Sequence, residues 1–310
     1  MSKKLFTLII IILSIFIILF FLIISKNKTI SIKLNHFYPK LMRNINVKSV
    51  SILITGDIML GRSTMTKSLN SGDAAYPFRK VADKLRQVDI VFSNLEGPIV
   101  SNCPKIDEGY KFCADPKMIE GLVFSGMDIV NLANNHILNY GKTGLEETKK
   151  VLNDNQIKWV GDGNLEIIEK NGTKFGFLGF DFVTKTPNEK DFQLVKDSNQ
   201  KVDLLIVGVH WGNEYSNRVT VLQEQIARKM IENGADMIAG HHPHWAQSVE
   251  YINGKPVCYS LGNFVFDQAW SEETKKALVV ELVYQGDKLK KIEKMPIYMK
   301  NFAQPEWINK

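Results

Sequence analysis

Cysteine is scarce in this chain. Three occur in 310 residues, and so small and odd a number does not describe a disulfide-built scaffold. Cys103 and Cys113 lie ten residues apart in a loop-like stretch. A loop-closing bridge is expected there if the compartment is oxidising. Cys258 sits in an apolar run and reads as buried and unpaired. Internal repeats are absent, which sets aside solenoid architectures. A strong charge imbalance is absent from most of the chain as well. The formal net charge is +6, but the first 28 residues hold four lysines and no acid. Residues 29–310 therefore carry 35 basic against 33 acidic residues. So nearly neutral a domain offers no broad field to a polyanion, and nucleic acid is not an expected partner.

Another absence decides the compartment. From Leu5 to Ser25 there is no charge, no proline and no glycine. Such a run at 1.5 Å per residue spans about 31 Å, the hydrocarbon thickness of a bilayer. It is too long for the core of a cleavable signal peptide, and no small-residue cleavage site follows. Residues 1–28 are expected to form an uncleaved, single-pass anchor in the cell membrane, with the bulk of the chain outside the cytoplasm. Residues 29–48 form a basic tether, with Lys33, Lys40, Arg43 and Lys48 preceding the first acid at Asp57. Either anionic lipid or plain solvent suits that tether. The folded domain is expected over 49–310.

With 45% hydrophobic residues over the whole chain, there is ample material for a core. Its pattern alternates. Strands are expected at 50–56, 89–93, 127–132, 203–209, 236–239, 277–284 and 288–295. Helices are expected at 77–88, 116–126, 143–155 and 219–233. Asn171-Gly172 and Asn253-Gly254 mark hairpin turns. Alternating βα units with hairpins between the halves suggest an α/β fold of two sheets packed face to face, with helices outside.

The polar residues then stand in a pattern. "ILITGD" ends in Asp57, and "DIVFSNLE" ends in Glu96. "DIVNLANNH" closes with Asn134, Asn135 and His136, and "LLIVGVH" with His210. "DMIAGHHPH" closes with His241, His242 and His244. Five of the six histidines follow strands. Ligands in open α/β sheets bind outside the carboxyl ends of strands. Imidazole, carboxylate and amide oxygen together suit a divalent Mn, Fe or Zn ion rather than Ca. In an extended backbone His242 and His244 share a face, whereas His241 points away and is not expected to bind.

The blocks "TGDIMLGR", "SNLEGPI", "LANNHILNYG", "GVHWGNEY", "GHHPH" and "YSLGNF" resemble, in order, those of CapA-type poly-gamma-glutamate capsule synthesis proteins. The resemblance spans about residues 50–270 and reaches the calcineurin-like metallophosphoesterases. It implies a four-layer αββα sandwich with a site for one or two metal ions. It also implies a membrane-attached protein that handles an anionic capsule polymer beside a polymer synthase and an export partner. By that resemblance, Asp57, Glu96, Asn135, His210, His242 and His244 are metal ligands and His136 is the catalytic histidine. Arg62, Asn94, Asn134 and Asn263 are candidate substrate contacts. Two departures stand out. Met59 occupies a position where phosphoesterases carry a histidine, and Glu96 replaces a bridging aspartate.

Three functions fit these residues. A metal-dependent hydrolase would cleave a phosphoester or a polymer amide, with paired ions about 3.5–4 Å apart and His136 as proton donor. A binding or assembly protein would hold polymer at the same cleft without turnover. A structural surface protein with a decayed site is the third.

Overall fold

The computed structural model describes residues 48–308. The anchor expected at 1–28 and nearly all of the tether at 29–48 lie outside the described residues. Among the described residues, no helix is long and apolar enough to cross a membrane.

The first sheet is built on β1 (Ser49–Ile58), β2 (Ile90–Leu95), β3 (Ile129–Asn131) and β4 (Lys158–Val160), all parallel. Its other side is antiparallel: β1 pairs with β12 (Lys276–Gln285), then β13 (Lys288–Asn301) and β14 (Gln304–Trp307). The second sheet runs β5 (Glu166–Lys170), β6 (Thr173–Asp181), β7 (Leu204–His210), β8 (Met237–His241), β10 (Lys255–Cys258), β9 (Val249–Ile252). Both expected hairpins are present, β5–β6 and β9–β10. Their Asn-Gly turns have positive φ at both residues: 51° and 75° at Asn171 and Gly172, 50° and 75° at Asn253 and Gly254. That geometry matches the right-handed twist of the flanking strands. Asn263–Val265 (β11) crosses to the first sheet and runs parallel to β1.

Three apolar layers follow from this arrangement. Ile52, Ile54, Phe92, Phe177 and Ile206 interdigitate between the sheets. Leu53, Val91 and Val130 face outward under the helices α1 (Arg62–Asn70), α3 (Ile119–Ser125) and α4 (Gly141–Asp154), through side chains such as Met65, Leu122 and Leu152. Leu205, Val207 and Ile238 pack under α5 (Glu189–Asn199) and α6 (Val221–Glu232). The order is therefore helices, sheet, sheet, helices. β7 is buried along its whole length, which explains the unbroken apolar run "LLIVGV".

Several elements depart from the sequence reading. The expected helix 77–88 is instead a 3₁₀ turn, Tyr76–Phe78, and a single α-turn, α2 (Ala82–Leu85). Phe78, Val81, Ala82 and Leu85 are all buried, so consecutive tight turns reproduce a helical spacing of apolar residues without a continuous helix. α1, α5, β4 and β14 were not expected. α1 has a mostly polar sequence, RSTMTKSLN, and gives no apolar stripe. α5 does carry a signal, the reciprocal capping box of Asn188 and Asp191.

Candidate metal centre

The carboxyl ends of β1, β2, β7 and β8 meet at one place. Gly56 allows this at β1: a Cβ there would lie 1.9 Å from Gly262 O. The close approach lets Asp57 N donate to Gly262 O at 2.9 Å and aligns Asp57 with Asn263 of β11. Glu96, one residue past β2, is fastened by its N–H to Ile58 O at 2.8 Å. His210 is the last residue of β7, and His242 and His244 follow β8 directly.

Asp57 and Glu96 are both buried. Asp57 Oδ1 accepts from Asn94 Nδ2 at 2.8 Å, and Oδ2 accepts from His242 N at 3.3 Å. Glu96 has neither carboxylate oxygen hydrogen-bonded. Its Oε1 lies 3.7 Å from His244 Nε2 and 3.9 Å from His136 Nε2. His210 Nε2 faces Asn135 Oδ1 at 3.0 Å. The His210 and His242 rings are 4.8 Å apart between centroids. Ligand atoms of Asp57, Glu96 and His210 all fall within 4.8 Å of one another, as do those of Glu214, His242 and His244. The six expected ligands are thus brought together.

The backbone does this by another route than expected. His242 and His244 are not extended: their φ angles are 97° and 59°. Left-handed backbone at two non-glycine residues is costly and concentrates at functional sites. His241 does point away. It lies in the last position of β8, and its Nε2 meets Thr55 O of the facing sheet at 3.1 Å.

Electrostatics follow from burial. Burial pushes the Glu96 carboxyl up to about 8. For Asp57 burial works the other way, but hydrogen bonding to His244 and the charges of His241 and His244 hold the carboxyl below its ordinary range. Burial likewise opposes charge on His244, yet Glu96 and Asp57 carry it up to about 9. His136 and His242 are pushed down to about 4, by burial first and then by the charge on His244. Burial also holds His210 well below the usual imidazole range.

The candidate substrate residues are placed differently. Asn94 is fully buried and brackets Asp57 while accepting from Asn134 Nδ2 at 3.3 Å. Asn134 also donates to Leu95 O at 2.8 Å and accepts from His136 N at 3.2 Å. Asn94 orients the site from behind, whereas Asn134 also borders an adjoining cleft. Asn263 Oδ1 meets His244 Nδ1 at 3.0 Å, while its amide donates to Gln268 Oε1 and Thr274 O. This fixes the His244 tautomer with Nε2 toward Glu96, the usual job of a residue supporting a ligand histidine. Arg62 is engaged too: its guanidinium grips Asp267, donates to Gly109 O at 2.8 Å and lies 4.5 Å over Phe112. It is not a free anion-binding group.

Met59 is buried in a small apolar cluster with Phe112, Phe266 and Met299, and its sulfur accepts from Gly61 N. It offers the centre no ligand. The sequence reading missed four residues: Glu214, Asp267, Asn139 and Phe112. Asn139 Nδ2 donates to His136 Nδ1 at 3.0 Å, which leaves Nε2 as the protonated nitrogen facing Glu96. Phe112 stacks on the His136 ring at 3.9 Å. It is delivered by the loop that the Cys103–Cys113 disulfide closes. A cleft of about 520 Å³ adjoins Asn134 and Asn135, lined also by Asp162, Asp181, Lys185 and Asp191, but no histidine lines it.

The donor set fits a divalent metal. Glu96 Oε1 and Oε2, His210 Nδ1 and His242 Nδ1 are all buried without a hydrogen-bond partner, a state native proteins rarely keep without a use. Solved structures share the fold. One is a hypothetical protein from Thermus thermophilus (TM-score 0.54, 15% identity, 80% of this chain and 98% of that one). Another is a Staphylococcus aureus protein provisionally assigned as a 5'-nucleotidase, in complex with alpha-ketoglutarate (TM-score 0.51, 15% identity, 80% of this chain, 54% of that one). Curated relatives are nearer in sequence. The capsule biosynthesis protein CapA of Bacillus anthracis is 33% identical over 261 residues, 75% of this chain and 63% of that protein. The PGA biosynthesis protein CapA of Bacillus subtilis (strain 168) is 32% identical over 254 residues, 74% of this chain and 67% of that protein. This chain thus spans about two thirds of the length of the relatives it matches. Residues 51–268 match the sequence model of the bacterial capsule synthesis protein PGA_cap. Family match and relatives agree: the chain belongs to the PGA_cap family of capsule synthesis proteins, as its sequence blocks imply.

Proposed function

We propose that this is a membrane-anchored protein of poly-gamma-glutamate or capsule export or assembly, carrying a metallophosphoesterase-like metal centre. The observation that carries the metal reading is Glu96, a buried carboxylate with both oxygens unpartnered among three imidazoles and a second carboxylate. Asp57, Glu96, Asn135, His210, His242 and His244 would hold one or two ions of Mn, Fe or Zn. Such an ion supplies Lewis acidity and lowers the pKa of water. The rest is done by the chain. Asn94 orients Asp57, and Asn263 orients His244. The anionic polymer approaches at the site itself, beside its synthase and exporter in the envelope. Residues 1–28 anchor the domain outside the cytoplasm. The Cys103–Cys113 bridge supports that side of the membrane, because such bridges persist in oxidising compartments.

A second reading, hydrolysis of a phosphoester or polymer amide, is favoured by His136. Asn139 holds its proton on Nε2, and Phe112 fixes the ring plane. The ring is pushed down to about 4 and is neutral near pH 7, so His136 would hold a leaving group by a hydrogen bond from Nε2 and would act as its acid only where a bound anion restores the charge of the ring. Turnover of a generic phosphodiester with added Mn or Zn tests it. Wild-type activity lost on His136→Ala, with bound metal retained, supports hydrolysis. No turnover together with polymer binding returns the site to assembly.

A further inference from the structure

We propose that Glu214 is a metal ligand, joining His242 and His244 to build an outer binding position beside the one formed by Asp57, Glu96 and His210. The inference rests on the metal-centre reading above and names a residue outside the ligand set given there. Glu214, His242 and His244 each bring one ligand atom within 4.8 Å of the other two, and the two triads share no residue. His242 is buried, and its Nδ1 has no hydrogen-bond partner.

Glu214 is held at that place. The chain leaves β7 at His210 and turns at Gly212, whose φ is 86°. A Cβ there would lie 2.9 Å from the Gln223 side chain. Tyr215 N then donates to Pro243 O at 2.8 Å, which ties the Glu214 loop to the residue between the two histidines. Gln247 Nε2 clamps the loop beyond, donating to Ser216 O at 2.9 Å and Arg218 O at 3.0 Å.

The chemistry calls for such a residue. Met59 gives no ligand, since its sulfur is spent on Gly61 N inside an apolar cluster. Two divalent ions bring four positive charges, whereas the buried carboxylates Asp57 and Glu96 supply two negative ones. Glu214 brings a third, and carboxylate oxygen is a suitable ligand for Mn, Fe or Zn. Glu214 is exposed while both histidines are buried. The outer position is therefore the weaker one and the one that opens to an incoming anion, as a reactive metal site requires.

The test uses the full chain purified in detergent, stripped with EDTA and titrated with MnCl2 or ZnCl2 by calorimetry. Wild type should bind two ions, one tightly and one more weakly. Glu214→Gln should weaken the second at least tenfold and leave the first unchanged, and Asp57→Asn should weaken the first. The metal-free melting temperature of Glu214→Gln should equal wild type, because the residue is exposed. Two ions bound by Glu214→Gln with wild-type affinities would overturn the assignment while leaving the metal centre intact. So would a single ion bound equally by both proteins. A wild type that takes up no ion overturns the metal centre and Glu214 together.

Discussion

Glu96 sets the chemistry at the scale of single residues. A buried carboxylate without a donor is costly to ionise, so without metal it keeps its proton up to about pH 8. His244 is raised above the usual imidazole range as well: burial opposes its charge, but the carboxylates of Glu96 and Asp57 outweigh it, so Glu96 and His244 between them retain at least one proton at neutral pH. Metal ligands must be deprotonated. The sign follows directly. At pH 7 an incoming ion displaces at least one proton from this pair, so affinity climbs as pH rises through about 8 to about 9 and falls in acid. Calorimetric titrations at pH 7 in two buffers of different ionisation enthalpy should give different heats, corresponding to at least one proton released per chain. Equal heats would show that Glu96 and His244 do not lose protons on binding.

Among the elements, the loop from Gly97 to Asp115 does more than connect. Its disulfide holds Phe112 between the Arg62 guanidinium and the His136 ring. Gly61 lets α1 start against it, since a Cβ there would lie 2.0 Å from Cys113 O. Closing a loop of about ten residues contributes about 2–3 kcal/mol through the unfolded chain. Urea denaturation of Cys103→Ser/Cys113→Ser protein should therefore lose about that much stability. A loss well below 1 kcal/mol would mean that the loop is ordered without its bridge. Such elements also mark what the sequence could tell. The strand ends bearing Asp57, Glu96, His210 and the GHHPH run were legible, because buried parallel strands write unbroken apolar runs with polar residues at their ends. The pairing of His242 with His244 was legible too, but the extended backbone assumed for it was wrong. Left-handed φ at both residues leaves no mark in residue type. Arg62 and Asn94 stand in the right blocks, yet their partners Asp267 and Asp57 are 205 and 37 residues away along the chain. Side-chain periodicity does not report contacts at that range. Glu214 sat four residues after His210 in a block already singled out, as one acid among many until the fold placed it beside His242 and His244.

For the whole molecule, the two sheets act as a rigid frame whose strand ends bring residues from 57 to 263 to one point. The anchor proposed for residues 1–28 would fix that point at the membrane surface. Full-length protein should then fractionate with membranes and resist extraction by high salt. A mature N-terminus near Lys28 in secreted material would show that the segment is cleaved instead. The central claim is that this frame was built around a metal ion. His241 is the internal control, because it has the same chemistry and faces Thr55 between the sheets rather than the centre. The decisive measurement is metal content by mass spectrometry after incubation with Mn, Zn or Fe and desalting. It compares wild type, His210→Ala and His241→Gln. Wild type and His241→Gln should retain one or two ions per chain, and His210→Ala should lose the tightly held ion, a larger effect than the ~10- to 100-fold typical of supporting residues. A wild type that retains no ion, or a His241→Gln variant as empty as His210→Ala, would contradict the account.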